Sequence, residues 1–229
     1  MPFEFSCFIS YRHSSVKSAS PYVSDFVEGF AEELDRWVDF PVSFDVDRLS
    51  AGDFVDESLA AKLYQSACMV VLYTPNYFST VKTFCSREYF AMLGLEHERL
   101  PRLQLDFGSH GLIIPIALRD HPGMLTQLGK AEEQWCHHSG RQPKNRLGLN
   151  FEQFTKKRQL QPGGNMHPKV LEVCRSIREN CQAFQNLIHN EGDLFNRRGQ
   201  WTLPAERAIA PFLPDVVGFV KREFPSRAA

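Results

Sequence analysis

Apolar residues recur along this chain in two rhythms, and their order outlines an alternating fold. Phe3 to Tyr11 is short, aromatic and β-branched and runs into the polar stretch Arg12 to Ser20, which predicts a first strand followed by a loop. Ser20-Pro21 then offers a helix start, because proline's missing N–H does no harm in a first turn. Tyr22, Val23, Phe26, Val27, Phe30, Leu34, Trp37 and Val38 follow at three- and four-residue spacing, one apolar stripe along a helix. Val42 to Phe44 predicts a short second strand that ends in the polar loop Asp45 to Gly52, and Val55, Leu59 and Leu63 mark a helix from about Asp53.

The next runs are continuous rather than alternating. Cys68 to Tyr73, closed by Thr74-Pro75-Asn76, and Leu112 to Leu118 are the patterns of strands buried on both faces of a parallel sheet. A helix from about Thr83 to Glu98 separates them. This βαβαβαβ order predicts an α/β fold with a doubly wound parallel sheet, in which ligands are held at the C-terminal strand ends. His121 to Pro168, rich in Gly, Pro, Asn and Lys/Arg, reads mostly as loop, with Leu149 to Phe154 as a last edge strand. Pro168 to Asn190 is amphipathic, with Val170, Cys174, Ile177, Cys181, Phe184 and Ile188 in one seam, and Pro214 to Phe224 suggests a final shorter helix.

Composition narrows the class. The 229 residues carry 26 Lys+Arg against 27 Asp+Glu, a net charge of -1 that leaves no basic footprint for nucleic acid. Hydrophobic content of 43% excludes a disordered chain, and no apolar run nears the roughly 18 to 20 residues that span a bilayer. Met1-Pro2-Phe3-Glu4 has none of the parts of a secretory signal, so the expectation is a cytoplasmic protein whose six cysteines are reduced thiols. Cys136-His137-His138 lacks the spacing of a zinc site, and there is no Gly-x-Ser-x-Gly elbow, Walker loop or G-x-G-x-x-G.

One residue breaks the pattern. At about 100° per residue, Phe84, Met92 and Leu95 project within roughly 40° of Glu88, with Cys85 and Ala91 about 60° to either side. A carboxylate at the centre of an apolar arc must be neutralised, ion-paired or aimed into a cleft where a ligand satisfies it. Ser10-Tyr11-Arg12-His13 and Asp45 to Phe54 follow the first two strands and converge on the same sheet edge. Arg12 and Arg48 there match either phosphate oxygens or Glu88 itself, and Gly52 serves the loop's backbone geometry.

Over about Phe3 to Leu118 these segments resemble a Toll/interleukin-1 receptor (TIR) domain. The resemblance is carried by Phe8-Ile9-Ser10-Tyr11-Arg12, by Phe44 to Phe54 (the family's BB loop), by Val70 to Tyr77, and by Phe84-Cys85-Ser86-Arg87-Glu88, in that order. It implies a flavodoxin-like five-stranded sheet as residues 1–155, with a helical C-terminal extension, 156–229, packed on that domain or docking a partner. In catalytic members of the bacterial NAD-cleaving type it implies an NAD+ glycohydrolase or cyclase that frees nicotinamide and yields ADP-ribose or a cyclic isomer. Glu88 then matches the catalytic glutamate of the family's Cys-x-x-Glu segment. Ser10, Tyr11 and Arg12 match the contacts to the nicotinamide mononucleotide half, Asp45, Arg48, Gly52 and Phe54 the BB-loop side, and Phe84 the aromatic beside the ribose. Phe84 stands where catalytic relatives carry Trp, keeping an aromatic face without the indole N–H.

The same resemblance implies NAD+ as substrate with no cofactor, while the charge balance, apolar run lengths and ligand spacing above lead to the expectation of no direct contact with nucleic acid, no membrane and no metal. It also implies homotypic TIR–TIR association, triggering by a sensor protein or diffusible signal, and a setting in bacterial antiphage or immune defence. A non-catalytic TIR signalling scaffold is the alternative, since architecture alone does not separate the two.

Overall fold

Five strands form one parallel sheet in the order β2-β1-β3-β4-β5. The computed structural model describes residues 3–12, 21–44, 55–74, 77–78, 83–103, 111–118, 124–143, 146, 148–151, 153–191 and 201–213. The strands are β1 (Phe5–Tyr11), β2 (Ser43–Phe44), β3 (Ser66–Tyr73), β4 (Ile113–Ala117) and β5 (Leu149–Asn150). Between them run α1 (Pro21–Leu34), α2 (Val55–Tyr64), α3 (Phe84–Arg99) and α4 (Met124–His138), followed by α5 (His167–Glu191) and the short α6 (Glu206–Ile209). The alternation of elements predicts this doubly wound parallel sheet, and the strand order is the flavodoxin-like one that the resemblance implies.

The central strands are where the longest apolar runs lie. Every residue of β3 is buried, as a strand paired on both edges and covered on both faces requires. α1 and α5 touch one another and cover one face, while α2, α3 and α4 cover the other. Alternation along β1 sends Cys7 toward α5 and Ser10 toward α3. Cys7 lies in register with Cys68 of β3, and Cys174 and Cys181 of α5 close over them, a buried nest of four thiols. Burial pushes the Cys174 and Cys181 thiols up to about 12 and raises those of Cys7 and Cys68 as well. Phe184 of α5 packs on Phe3 at 6.1 Å, so this helix shares the core of the sheet.

Two elements differ from the sequence reading. Residues 124–138, read as loop, form α4. Its inner face carries Leu128, Ala131 and Cys136, but Glu132 stands among them, also buried at 2% exposure, and this carboxylate interrupts the stripe. Leu149–Asn150 does pair with β4 as the edge strand, but it stops there: Phe151 and Phe154 turn inward to meet the Phe26 ring edge-on, each at 5.2 Å. The helix expected over Pro214 to Phe224 lies outside the described residues.

Candidate functional site

The sheet's strand order reverses between β1 and β3, and at the C-terminal ends of those two strands doubly wound folds hold their ligands. Ser10 and Tyr11 end β1 there, Tyr77 follows β3, and α3 starts beside them, bringing Glu88 inward one turn later. Glu88 is fully buried. Its Oε2 accepts the Ser10 hydroxyl at 2.6 Å, and the Ser10 oxygen lies 2.7 Å from the Tyr77 hydroxyl.

The proton order in this chain follows from counting. Serine has one O–H, and it is committed to Glu88, so Tyr77 donates to Ser10 and Ser10 donates to the carboxylate. Burial, and then the proximity of Cys85 and Glu88, push the Tyr77 phenol well above its ordinary range, which keeps it a neutral donor. The Cys85 thiol donates to the Tyr11 carbonyl at 3.5 Å, tying the first turn of α3 to the end of β1. The chain Tyr77–Ser10–Glu88 therefore holds an acidic group away from water at the switch point of the sheet.

Of the residues singled out in the sequence, Ser10 and Glu88 are in direct contact, and Tyr11 and Arg12 lie half-buried at the same edge. Asp45, Arg48, Gly52 and Phe54 lie outside the described residues; the chain enters that segment from Phe44, whose register partner is Ile9 of β1. Phe84 corrects the helical projection. Placed on the apolar arc with Glu88, it is instead 43% exposed, because it opens α3, and the Arg87 guanidinium lies 5.8 Å from its ring. Tyr77 is the member of the hydrogen-bonded chain that the sequence reading left out of the site, although its place after the Thr74-Pro75-Asn76 turn sets it on the same sheet edge.

A second buried charge cluster lies on the α4 side of α3. Arg146 pairs with Glu96 and Glu132, Tyr89 donates to Glu132, and Glu96 also accepts the Leu112 backbone N–H at 2.6 Å. Against the opposing effect of burial, Glu96 and then Glu132 push the Arg146 guanidinium further up, so it stays charged. A cleft of about 440 Å³ opens beside this cluster between α4 and β4, lined by Pro115, Leu125, Lys130, Glu132 and Arg146 among others, and it does not reach Glu88. Among the described residues no group of three His, Cys, Asp or Glu is arranged to hold a metal ion, and no helix is long and apolar enough to cross a membrane.

No family model matches the chain. No curated protein matches it either. Among solved structures, the TIR domains of the activated Roq1 resistosome, which directly recognizes the pathogen effector XopQ, align over 91% of this chain and 97% of that chain, at 16% identity and a TM-score of 0.37. A likeness that distant adds nothing to the fold, which rests on the strand order and registers described above.

Proposed function

We propose that this protein cleaves the bond between nicotinamide and ribose in NAD+, with Glu88 as the catalytic carboxylate. The observation that supports this most is a fully buried glutamate held by Ser10 at the β1/β3 switch point. Breaking an N-glycosidic bond leaves positive charge on the ribose, and a carboxylate in a water-poor site stabilises that oxocarbenium-like state strongly. Nicotinamide departs with the bonding electron pair. Water then adds to the anomeric carbon and loses a proton to give ADP-ribose, or a nucleophile of the same molecule closes a cyclic isomer. Arg12 at the same edge is suited to the pyrophosphate, and the exposed ring of Phe84 to the face of the sugar or base.

In the isolated chain the carboxyl has no exposure, so substrate reaches it only after a rearrangement that opens a path to Glu88. Homotypic assembly supplying that rearrangement makes the monomer nearly silent and the oligomer active, the behaviour suited to a defence protein triggered by a partner or signal. The test is release of free nicotinamide from NAD+ by concentrated protein, followed by chromatography. Glu88→Ala is expected to lower the rate by about 100-fold or more. A wild type no faster than Glu88→Ala, with assembly forced, leaves the non-catalytic scaffold as the reading.

A further inference from the structure

The helix that carries Glu88 begins without the features that normally secure a helix start. Thr83 occupies the N-cap position but makes no side-chain cap bond, and the first turn of α3 contains no acidic residue to complement the helix dipole. Arg87, in that same turn, has the wrong sign for a helix N-terminus. The opposite end of α3 is well anchored. Arg99 is buried there and donates to the carbonyls of Ser66, at 3.0 Å, and Tyr64, with its guanidinium 5.2 Å from the Tyr64 ring.

What the first turn lacks comes from the far end of the chain. The segment 201–213 starts against α2, where Trp201 meets Tyr64 at 5.6 Å. It reaches the start of α3 at Pro204 and Glu206. The Pro204 carbonyl accepts Arg87 Nε at 2.8 Å, drawing that cation off the helix axis, and the Glu206 carboxylate accepts the Thr83 hydroxyl. From there the segment returns along α3 and α4, with Ile209 buried and Phe212 6.1 Å from Phe90 and 5.2 Å from His138. Glu206 thus places at the α3 N-terminus the negative charge that the helix's own sequence omits.

We propose that residues 201–212 are a clasp that seats the first turn of α3, with Glu206 and Thr83 acting as positioning residues for Glu88. The catalytic part of this inference rests on the NAD+ reading above; the clasp itself does not. Glu88 lies five residues from Thr83, about 1.4 turns, and directly follows Arg87, which the clasp holds, so a first turn released from the clasp carries the carboxylate away from Ser10. A partner that draws the segment off α3 then changes activity without touching Glu88 or Ser10.

Two measurements on the full chain separate the clasp from the chemistry. The first is the rate of alkylation of Cys85, in the first turn of α3, against that of Cys68 in β3, read peptide by peptide by mass spectrometry. Glu206→Ala and Thr83→Val are each expected to raise Cys85 labelling about tenfold at constant Cys68 labelling, Thr83→Ser to restore protection, and the double variant to go no further than either single one. The second is the kinetics of nicotinamide release, in which both variants are expected to lower kcat about tenfold with KM within twofold. Unchanged Cys85 labelling, or Cys85 and Cys68 labelling rising together, overturns the clasp. Faster Cys85 labelling with an unaltered kcat overturns the positioning role. A wild type that releases no more nicotinamide than Glu88→Ala overturns the NAD+ reading, and the labelling ratio then decides the clasp by itself.

Discussion

The Ser10 hydroxyl has one proton and two buried neighbours, so its removal has a cost that the geometry sets. Ser10→Ala takes the donor from the Glu88 carboxylate and the acceptor from the Tyr77 hydroxyl in one step. A hydrogen bond to a charged group contributes about 1.5–3 kcal/mol, and a buried hydroxyl left stranded costs about 1–3 kcal/mol. The two together come to about 2.5–6 kcal/mol, a large part of the roughly 5–15 kcal/mol by which a domain is stable. Tyr77→Phe removes only the outer bond and leaves Ser10 on Glu88, at about 1 kcal/mol. Urea unfolding of wild type, both single variants and the double variant closes the cycle. Once Ser10 is gone, deleting the Tyr77 hydroxyl removes a stranded group, so Tyr77→Phe is expected to be neutral or stabilising in the Ser10→Ala protein, a coupling of about 1–3 kcal/mol. A Ser10→Ala cost below about 1 kcal/mol, or a Tyr77→Phe cost as large without Ser10 as with it, rules out a buried Tyr77–Ser10–Glu88 chain.

Two further outcomes follow from the buried charges and thiols. Cys174 and Cys181 have folded values raised to about 12 from 9.0, so the stability they contribute is complete below pH 9 and is lost as pH climbs toward 12, at about 1.4 kcal/mol per pH unit for each thiol. The urea midpoint is expected to fall between pH 8 and pH 10, less steeply in Cys181→Ala; a midpoint level across that range contradicts the burial. Arg146→Met leaves Glu96 and Glu132 facing one another in the interior, a loss of about 3–5 kcal/mol and about 10 °C in Tm for a chain of this size. A thermal melt shifted by less than about 3 °C would show that the cluster is open to water.

The carboxylate of Glu88 was legible as a conflict, since an acidic residue with Met92, Leu95 and Cys85 around it has to be buried by any fold that buries them. Ser10 was legible as belonging to the same sheet edge, but its bond to Glu88 was not, because that depends on the turn of β1 that points residue 10 rather than residue 9 at α3. The helix α4 escaped the reading for a related reason. Glu132 in its inner face lowers the apolar signal, and its burial is made tolerable by Arg146, fourteen residues on, and by the Tyr89 hydroxyl of α3.

Local sequence was sufficient for what depends on periodicity. The continuous runs of β3 and β4, the stripes of α1 and α5 and the alternation of elements determine a parallel doubly wound sheet, because side-chain spacing of two or 3.6 residues decides which faces must leave water. Tertiary structure alone decided how the polar groups inside that sheet are satisfied and what covers the outer side of α3. Phe90 projects away from Glu88 and by helical pattern would face solvent, yet it is 2% exposed because Trp135 and Phe212, 45 and 122 residues later, pack on it. Contacts at that separation carry no local signature: their energy exists only once the chain has closed the loop between them, and no window of sequence contains both partners.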